Sequence, residues 1–331
     1  MIVHSMAPKA SRTLRIGTRA SKLARWQADW VAAQLRSHGH SVEIIEITTS
    51  GDEQQAGPVA DIGAPGVFTK EIQRAVLAGD ADLAVHSLKD LPTDAVDGLV
   101  LAAVPPRENP ADVIVARSTE QGAQSEDLQL PSSLPPAPCP LLSASARVGT
   151  GSLRRQAQLR HLRPDLVIEN IRGNVDTRLR KLDDGEFDAI VLAAAGLIRL
   201  GLAARISQVL PFDVMLPAVG QGALGIECRA DDSATRAALQ SIDHADTHAA
   251  VLAERSLLAH LRGGCLAPIG ALAQNQNGFL RLVAAVLSPD GSQRLTASEA
   301  ASAADAERLG QQVSQTLLAQ GAAELIAAAR K

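Results

Sequence analysis

Apolar positions follow a regular alternation of rhythms over the first two thirds of the chain. "LRIGT" (14–18) is a short apolar run closed by glycine and threonine, and predicts a strand. "SKLARWQADWVAAQLRSHG" (21–39) repeats apolar residues every three to four positions, which predicts an amphipathic helix capped by Ser21 and closed near Gly39. "SVEIIEITT" reads as a strand, "FTKEIQRAVLAGD" as a helix and "ADLAVHS" as a buried strand. Strands and helices taken in turn predict a mostly parallel sheet with helices on both faces.

Residues 118–146, rich in Ser, Pro and Gln, interrupt this rhythm and read as a linker or insertion. Beyond them the pattern resumes with echoes of the first part. "GTRAS" (17–21) and "GTGSLRR" (149–155) each close a strand and open a helix. "GDADLAV" (79–85) and "GEFDAIV" (185–191) each follow a helix and enter a buried strand. The same features in the same order predict two similar doubly wound α/β lobes. The C-terminal part differs. A helix near 247–262 leads to a bend, "IGALAQ" and "FLRLVAAVLSPDGSQRLTASE" follow as antiparallel strands with "SPDGS" as the turn, and one long helix ends the chain. That predicts a smaller third α+β domain.

A chain of 331 residues suits two or three domains, and 46% hydrophobic with 21% charged residues fits a globular protein. The net charge of −4 argues against a general nucleic-acid binder. No apolar run is long enough to span a membrane, and the N-terminal stretch lacks the apolar core of a signal peptide. Three cysteines without pairing rhythm fit a reducing compartment, so a cytoplasmic location is expected. Aromatic residues make up only 2%, which leaves little for recognition by stacking.

Three places carry candidate chemistry. Gly-Thr turns before helices aim backbone N–H groups and the positive helix end at one point, the makings of an anion site. Arg19 stands at the first such turn and Arg154 and Arg155 at the second, with Arg172 at a later strand end. Arginine forks match carboxylates. Arg160, Arg163 and Arg180 read instead as solvated helix faces. "VHSLKDLPT" (85–93) packs His86, Ser87, Lys89 and Asp90 at a strand's carboxyl end, where ligands of open α/β sheets bind. Asp90 suits a cationic or N–H-bearing substrate, or a proton exchange with it; a plain polar loop is the alternative. "LRGGCLAPIG" (261–270) sets Cys265 behind two glycines and ahead of Pro268, presented rather than buried, whereas Cys228 reads as structural and Cys139 is given no role. His244 and His248 are four apart but lack a third ligand, so no metal site is expected. The loop 50–66 reads as a lid or an irregular segment.

These stretches together resemble the porphobilinogen deaminase (hydroxymethylbilane synthase) family from about Leu14 to the C-terminus. The resemblance is carried by "RIGTRASKLARWQA", "GVFTKEIQRAVLAGDADLAVHSLKDLPT", "GSLRRQAQLRHLRPDL", "IRGNVDTRLRKLDDGEFDAIVLAAAGLIRLG", "LPAVGQGALGIECR" and "ERSLLAHLRGGCLAPIG". It implies a dipyrromethane cofactor bound to Cys265 through a thioether. It also implies stepwise addition of four porphobilinogen molecules with loss of ammonia, then hydrolytic release of hydroxymethylbilane. Asp90 matches the family's catalytic carboxylate. Arg19, Ser21, Lys89, Thr150, Ser152, Arg154, Arg155, Arg172, Arg178 and Arg199 match positions that contact cofactor or substrate. The implied fold has two periplasmic-binding-protein-like lobes, 1–117 with 220–240 and 118–219, and an α+β domain over 241–331 that carries the cysteine. A monomer with neither a metal nor a nucleic-acid or membrane partner is implied. Pro65, where many relatives have lysine, Gly151, where many have serine, and the long 118–146 segment depart from the family pattern. The rivals are a non-catalytic two-lobe protein binding a polycarboxylate and an effector-binding regulator.

Overall fold

The computed structural model describes residues 12–49, 69–117, 139, 141–264, 267–276 and 278–330. Cys265, Pro65, the 50–66 loop and nearly all of the 118–140 stretch therefore lie outside the described residues. The chain divides into two compact units, Met1–Pro106 with Leu224–His248, and Arg107–Ala223 with Ala249–Lys331.

The first unit is built on a five-stranded sheet in the order β2-β1-β3-β10-β4. Its strands are β1 (Leu14–Thr18), β2 (Val42–Glu46), β3 (Leu83–Ser87), β4 (Leu99–Ala103) and β10 (Leu224–Arg229). Side chains alternate between the faces. Leu83 and Val85 pack with Ala28, Val31 and Leu35 of α1 (Lys22–Ser37). Ala84 packs on the other face with Ile72 and Val76 of α2 (Lys70–Ala78). Ser21 caps α1 as the sequence predicts, its hydroxyl accepting from Ala24 N at 3.3 Å.

In the second unit β5 (Asp112–Ala116), β6 (Arg147–Gly149), β7 (Val167–Glu169), β8 (Ala189–Ala193) and β9 (Gln208–Val209) form a sheet ordered β7-β6-β8-β5-β9. Its helices are α3 (Leu153–Leu162), α4 (Val175–Asp183) and α5 (Ala194–Arg199). The echoes in the sequence are echoes in structure. Asp82 accepts from Arg15 N at 2.9 Å and its own N–H donates to Arg15 O at 2.8 Å. Asp188 does the same with Arg147, at 2.8 Å and 2.9 Å. In each lobe an aspartate entering one strand therefore staples the start of its parallel neighbour.

The remaining sheet, β11 (Ile269–Gln276), β12 (Phe279–Leu287) and β13 (Arg294–Ser302), is antiparallel with β12 in the centre. One face is covered by α7 (Ala245–His260), α8 (Ala306–Ala319) and α9 (Ala322–Ala328), with Leu257, Leu309, Val313 and Leu317 fully buried. The other face sets Leu272, Ala285 and Leu287 against Ala157 of α3 and Leu216. In the first unit, α6 (Ser233–Gln240) follows β10 and packs Ala238 and Leu239 into that unit's core.

The structure departs from the sequence expectations in three ways. Both larger sheets are mixed, because β10 runs antiparallel to β3 and β4, and β5 antiparallel to β8. β10 is reached only after the chain has built another sheet, so no strand–helix–strand crossover sets its direction. The first stretch of the first compact unit ends at Pro106, before the expected 117, because β5 pairs into the second sheet. The single C-terminal helix is two, broken at Gly321, whose φ of 100° is left-handed.

Candidate active site

β1 and β3 end side by side in the first sheet, and the chain beyond each supplies one wall of a pocket of about 80 Å³. Arg19 and Ser21 come from the turn between β1 and α1, and Gln27 from the second turn of that helix. His86, Ser87 and Asp90 come from the end of β3 and the 3-10 turn Leu88–Asp90 that follows it, and Thr69 from the start of α2. The pocket thus joins Asp90 to Arg19 and Ser21, which lie far from it in sequence. Asp90 is exposed and Lys89, its neighbour in the turn, is half-buried.

The polar floor of this pocket is held from behind. Gln27 Nε2 donates to Ser87 Oγ at 2.8 Å. His86 is buried, with Nε2 3.1 Å from Glu227 Oε2 but out of line for a hydrogen bond. Gln73 Nε2 donates to the same Glu227 oxygen at 2.9 Å.

A second cluster lies in the other sheet, where β6 gives way to α3. Thr150 is fully buried and its hydroxyl accepts from Ser152 N at 3.3 Å. Ser152 makes no side-chain cap to α3, leaving the helix start open. Arg154 and Arg155, expected to bind an anion, are buried against Asp112. Arg154 Nη1 donates to Asp112 Oδ2 at 2.6 Å, and Arg155 Nη2 to Asp112 Oδ1 at 2.7 Å. Burial alone would raise the Asp112 carboxyl, but the two guanidinia overcome it and hold the group well below the carboxylate range. Burial pushes Arg154 down, against the opposing pull of Asp112. Two cations facing one carboxylate, with Arg154 Nε lacking a hydrogen-bond partner, leave positive charge in the interior for which an anion is the complement.

The other predicted positions are spread around this second cluster. Arg172 is exposed in the loop between β7 and α4. The carbonyl of its neighbour Ile171 stands 2.9 Å from where a Cβ at Gly151 would be, a close approach that serine could not make unshifted. Arg178 Nε donates to Gly173 O at 2.8 Å. Arg199 is buried, donates from Nη2 to Gly222 O at 2.7 Å, and is pushed down to about 10 by burial, partly offset by Glu108. Arg163 is no solvated helix face, because it binds Asp165 and the carbonyls of Cys139 and Leu142. Arg160 likewise donates to Pro289 O at 2.7 Å.

Sequence reasoning missed Asp112, Glu227 and Gln73. Asp112 heads the apolar run "DVIVA", and a charge at the start of a buried strand is the one mark that singles it out. His244 Nδ1 accepts from Thr247 N at 3.2 Å, and His248 Nδ1 lies 2.8 Å from Asp243 Oδ1. Among the described residues no group of three or more potential metal ligands gathers. No described helix is long and apolar enough to cross a membrane.

Comparison with known proteins identifies the family of the chain. Residues 14–237 match the family model described as porphobilinogen deaminase, dipyromethane cofactor binding domain. Residues 248–319 match the C-terminal domain of the same family. The chain is 47% identical over 321 residues to porphobilinogen deaminase of Syntrophotalea carbinolica, covering 96% of each. It is 48% identical to that of Desulforudis audaxviator, covering 96% of this chain and 98% of the relative. Among solved structures, the Bordetella pertussis BvgS VFT2 domain is similar at 15% identity and a TM-score of 0.39, over 70% of this chain and 86% of that one. The sequence matches set aside the non-catalytic rivals. This chain belongs to the porphobilinogen deaminase family, transferases of tetrapyrrole biosynthesis that use a dipyrromethane cofactor.

Proposed function

We propose that Asp90 is the catalytic carboxylate of this enzyme and that Cys265 carries the dipyrromethane through a thioether. The observation that carries the first part is the shared pocket, which Asp90 of the turn after β3 lines together with Arg19 and Ser21 of the turn after β1. The arginine excess around Asp112 fits the acetate and propionate groups of a dipyrromethane, with Thr150, Ser152, Arg154, Arg155, Arg172, Arg178 and Arg199 as the residues that hold it and the growing chain. When bound, that group supplies the electron-rich pyrrole carbon to which porphobilinogen is joined.

The chain's own residues supply the rest. Arg19 and Ser21 bind a carboxylate of the incoming porphobilinogen, aided by the positive end of α1. Lys89 stands beside Asp90 and adds a cation for the same carboxylates. Asp90 stabilises the positive charge that develops on the porphobilinogen ring as ammonia leaves, and accepts hydrogen bonds from pyrrole N–H groups. Arginine in place of lysine at most binding positions keeps these contacts charged at every working pH. The working form is a cytoplasmic monomer, with no nucleic-acid or membrane partner.

Turnover of porphobilinogen by Asp90→Asn tests this reading. Loss of one preorganised electrostatic group costs about 10²–10³ in rate, so turnover falls by at least that factor in a protein that remains folded. Near-normal turnover would remove Asp90 from the mechanism.

A further inference from the structure

Lys89 and Asp90 sit in a single turn of 3-10 helix, Leu88–Asp90. One turn of such helix has little stability of its own. Two buried leucines bracket it: Leu88 is 1% exposed and Leu91 5%. Leu91 N donates to Leu88 O at 3.1 Å and closes the turn. The side chain of Leu88 lies over Gly225, which faces His86 across the β3–β10 ladder. A Cβ at Gly225 would stand 2.5 Å from Leu88 Cδ1 and 3.2 Å from Leu101 Cδ1. The glycine is needed here for space rather than for backbone freedom. Its neighbours Leu224 and Ile226 fill the opposite face of the sheet, and the next residue on its own face, Glu227, reaches toward His86 and Gln73. The missing side chain at 225 is a hole, and Leu88 occupies it.

We propose that Gly225 and Leu88 are positioning residues for Asp90: the leucine, seated in the hole over Gly225, fixes the short turn that presents the carboxylate to the pocket. Leu88 is joined to Asp90 through one residue, so displacement of its side chain moves the turn. Misplacement of a reacting group by about 1 Å can cost about 10²-fold in rate. This inference rests on the reading of Asp90 as the catalytic carboxylate.

The test uses the cofactor-loaded enzyme, with equal loading verified by intact mass. Gly225→Ala introduces a methyl group where Leu88 sits. The expected result is a fall in kcat of about tenfold or more, with KM changed far less. Amide hydrogen exchange at Leu91, which reports the turn independently of activity, becomes faster. Shortening the displaced side chain in the double variant Gly225→Ala with Leu88→Val restores both readouts toward wild type. Leu88→Val alone leaves the hole underfilled, so it lowers kcat and speeds Leu91 exchange. It serves as the deciding variant should Gly225→Ala fail to fold. Wild-type kcat and exchange in Gly225→Ala, or a loss that the double variant does not relieve, overturns the inference. Asp90→Asn assayed alongside separates the two claims. Near-normal turnover there removes the catalytic reading. Its loss there, with Gly225→Ala behaving as wild type, removes only the positioning role.

Discussion

Arg107 and Glu254 meet fork to fork, Nη1 to Oε1 at 2.7 Å and Nη2 to Oε2 at 3.1 Å, with the glutamate fully buried. The same carboxylate accepts from Gly220 N at 2.7 Å and from Ala273 N at 2.9 Å. Arg107 Nε donates to Gln221 O at 2.8 Å. One ion pair thus ties α7 and β11 to the segments around residues 107 and 220. Removing one partner strands the other charge in the interior. Glu254→Ala is therefore expected to destabilise the protein by about 3–5 kcal/mol, read as a lower urea midpoint. A loss below about 1 kcal/mol, the range of exposed pairs, would show that the pair is not stabilising the fold.

Asp112 makes stability depend on acid in a stated direction. Its folded carboxyl is held below the ordinary value of about 3.9 by Arg154 and Arg155, which outweigh its burial. A depressed acid contributes stability that is fully present above the unfolded value and is lost as the pH falls below about 4 toward the folded one. Asp112→Asn should thus be less stable than wild type at neutral pH, and its stability should decline less steeply between about pH 5 and pH 2. Unfolding midpoints at several pH values measure this. Parallel curves for the two proteins would contradict the assignment.

The two described cysteines are buried, Cys228 at 0% exposure and Cys139 at 1%. Burial pushes the Cys228 thiol up to about 11 and raises that of Cys139 as well. Neither thiol forms the reactive thiolate readily at neutral pH. A maleimide added to the native protein should leave both unlabelled over minutes and label both after denaturation. Rapid native labelling of Cys228 would show that the first sheet opens far more readily than its packing implies.

Much of this architecture is written in local patterns, and the parts that are not have physical reasons. β1, α1 with its Ser21 cap, and β3 follow from runs, spacing and capping, all of which act within a few residues. The repeat of Asp82 and Asp188 is legible because each aspartate follows a helix at the same offset from a glycine, Gly79 and Gly185. The antiparallel course of β10 is not legible, because "LGIECR" is equally apolar in either direction. The partner of Arg154 and Arg155 is hidden for a related reason: Asp112 lies some forty residues upstream, and arginines at a helix start look the same whether they face solvent or a buried carboxylate. The seat of Leu88 over Gly225 was equally invisible, since the two residues become neighbours only through a strand that returns from the second unit.

The covalent anchor is the central claim, and the mass of the denatured protein tests it most directly. The account predicts an excess equal to two porphobilinogen-derived units, surviving denaturation and mapping to the peptide that contains Cys265. It predicts that Cys265→Ser shows the bare chain mass. A wild-type protein whose Cys265 stays unmodified after incubation with porphobilinogen, or an equal excess retained by Cys265→Ser, would contradict it.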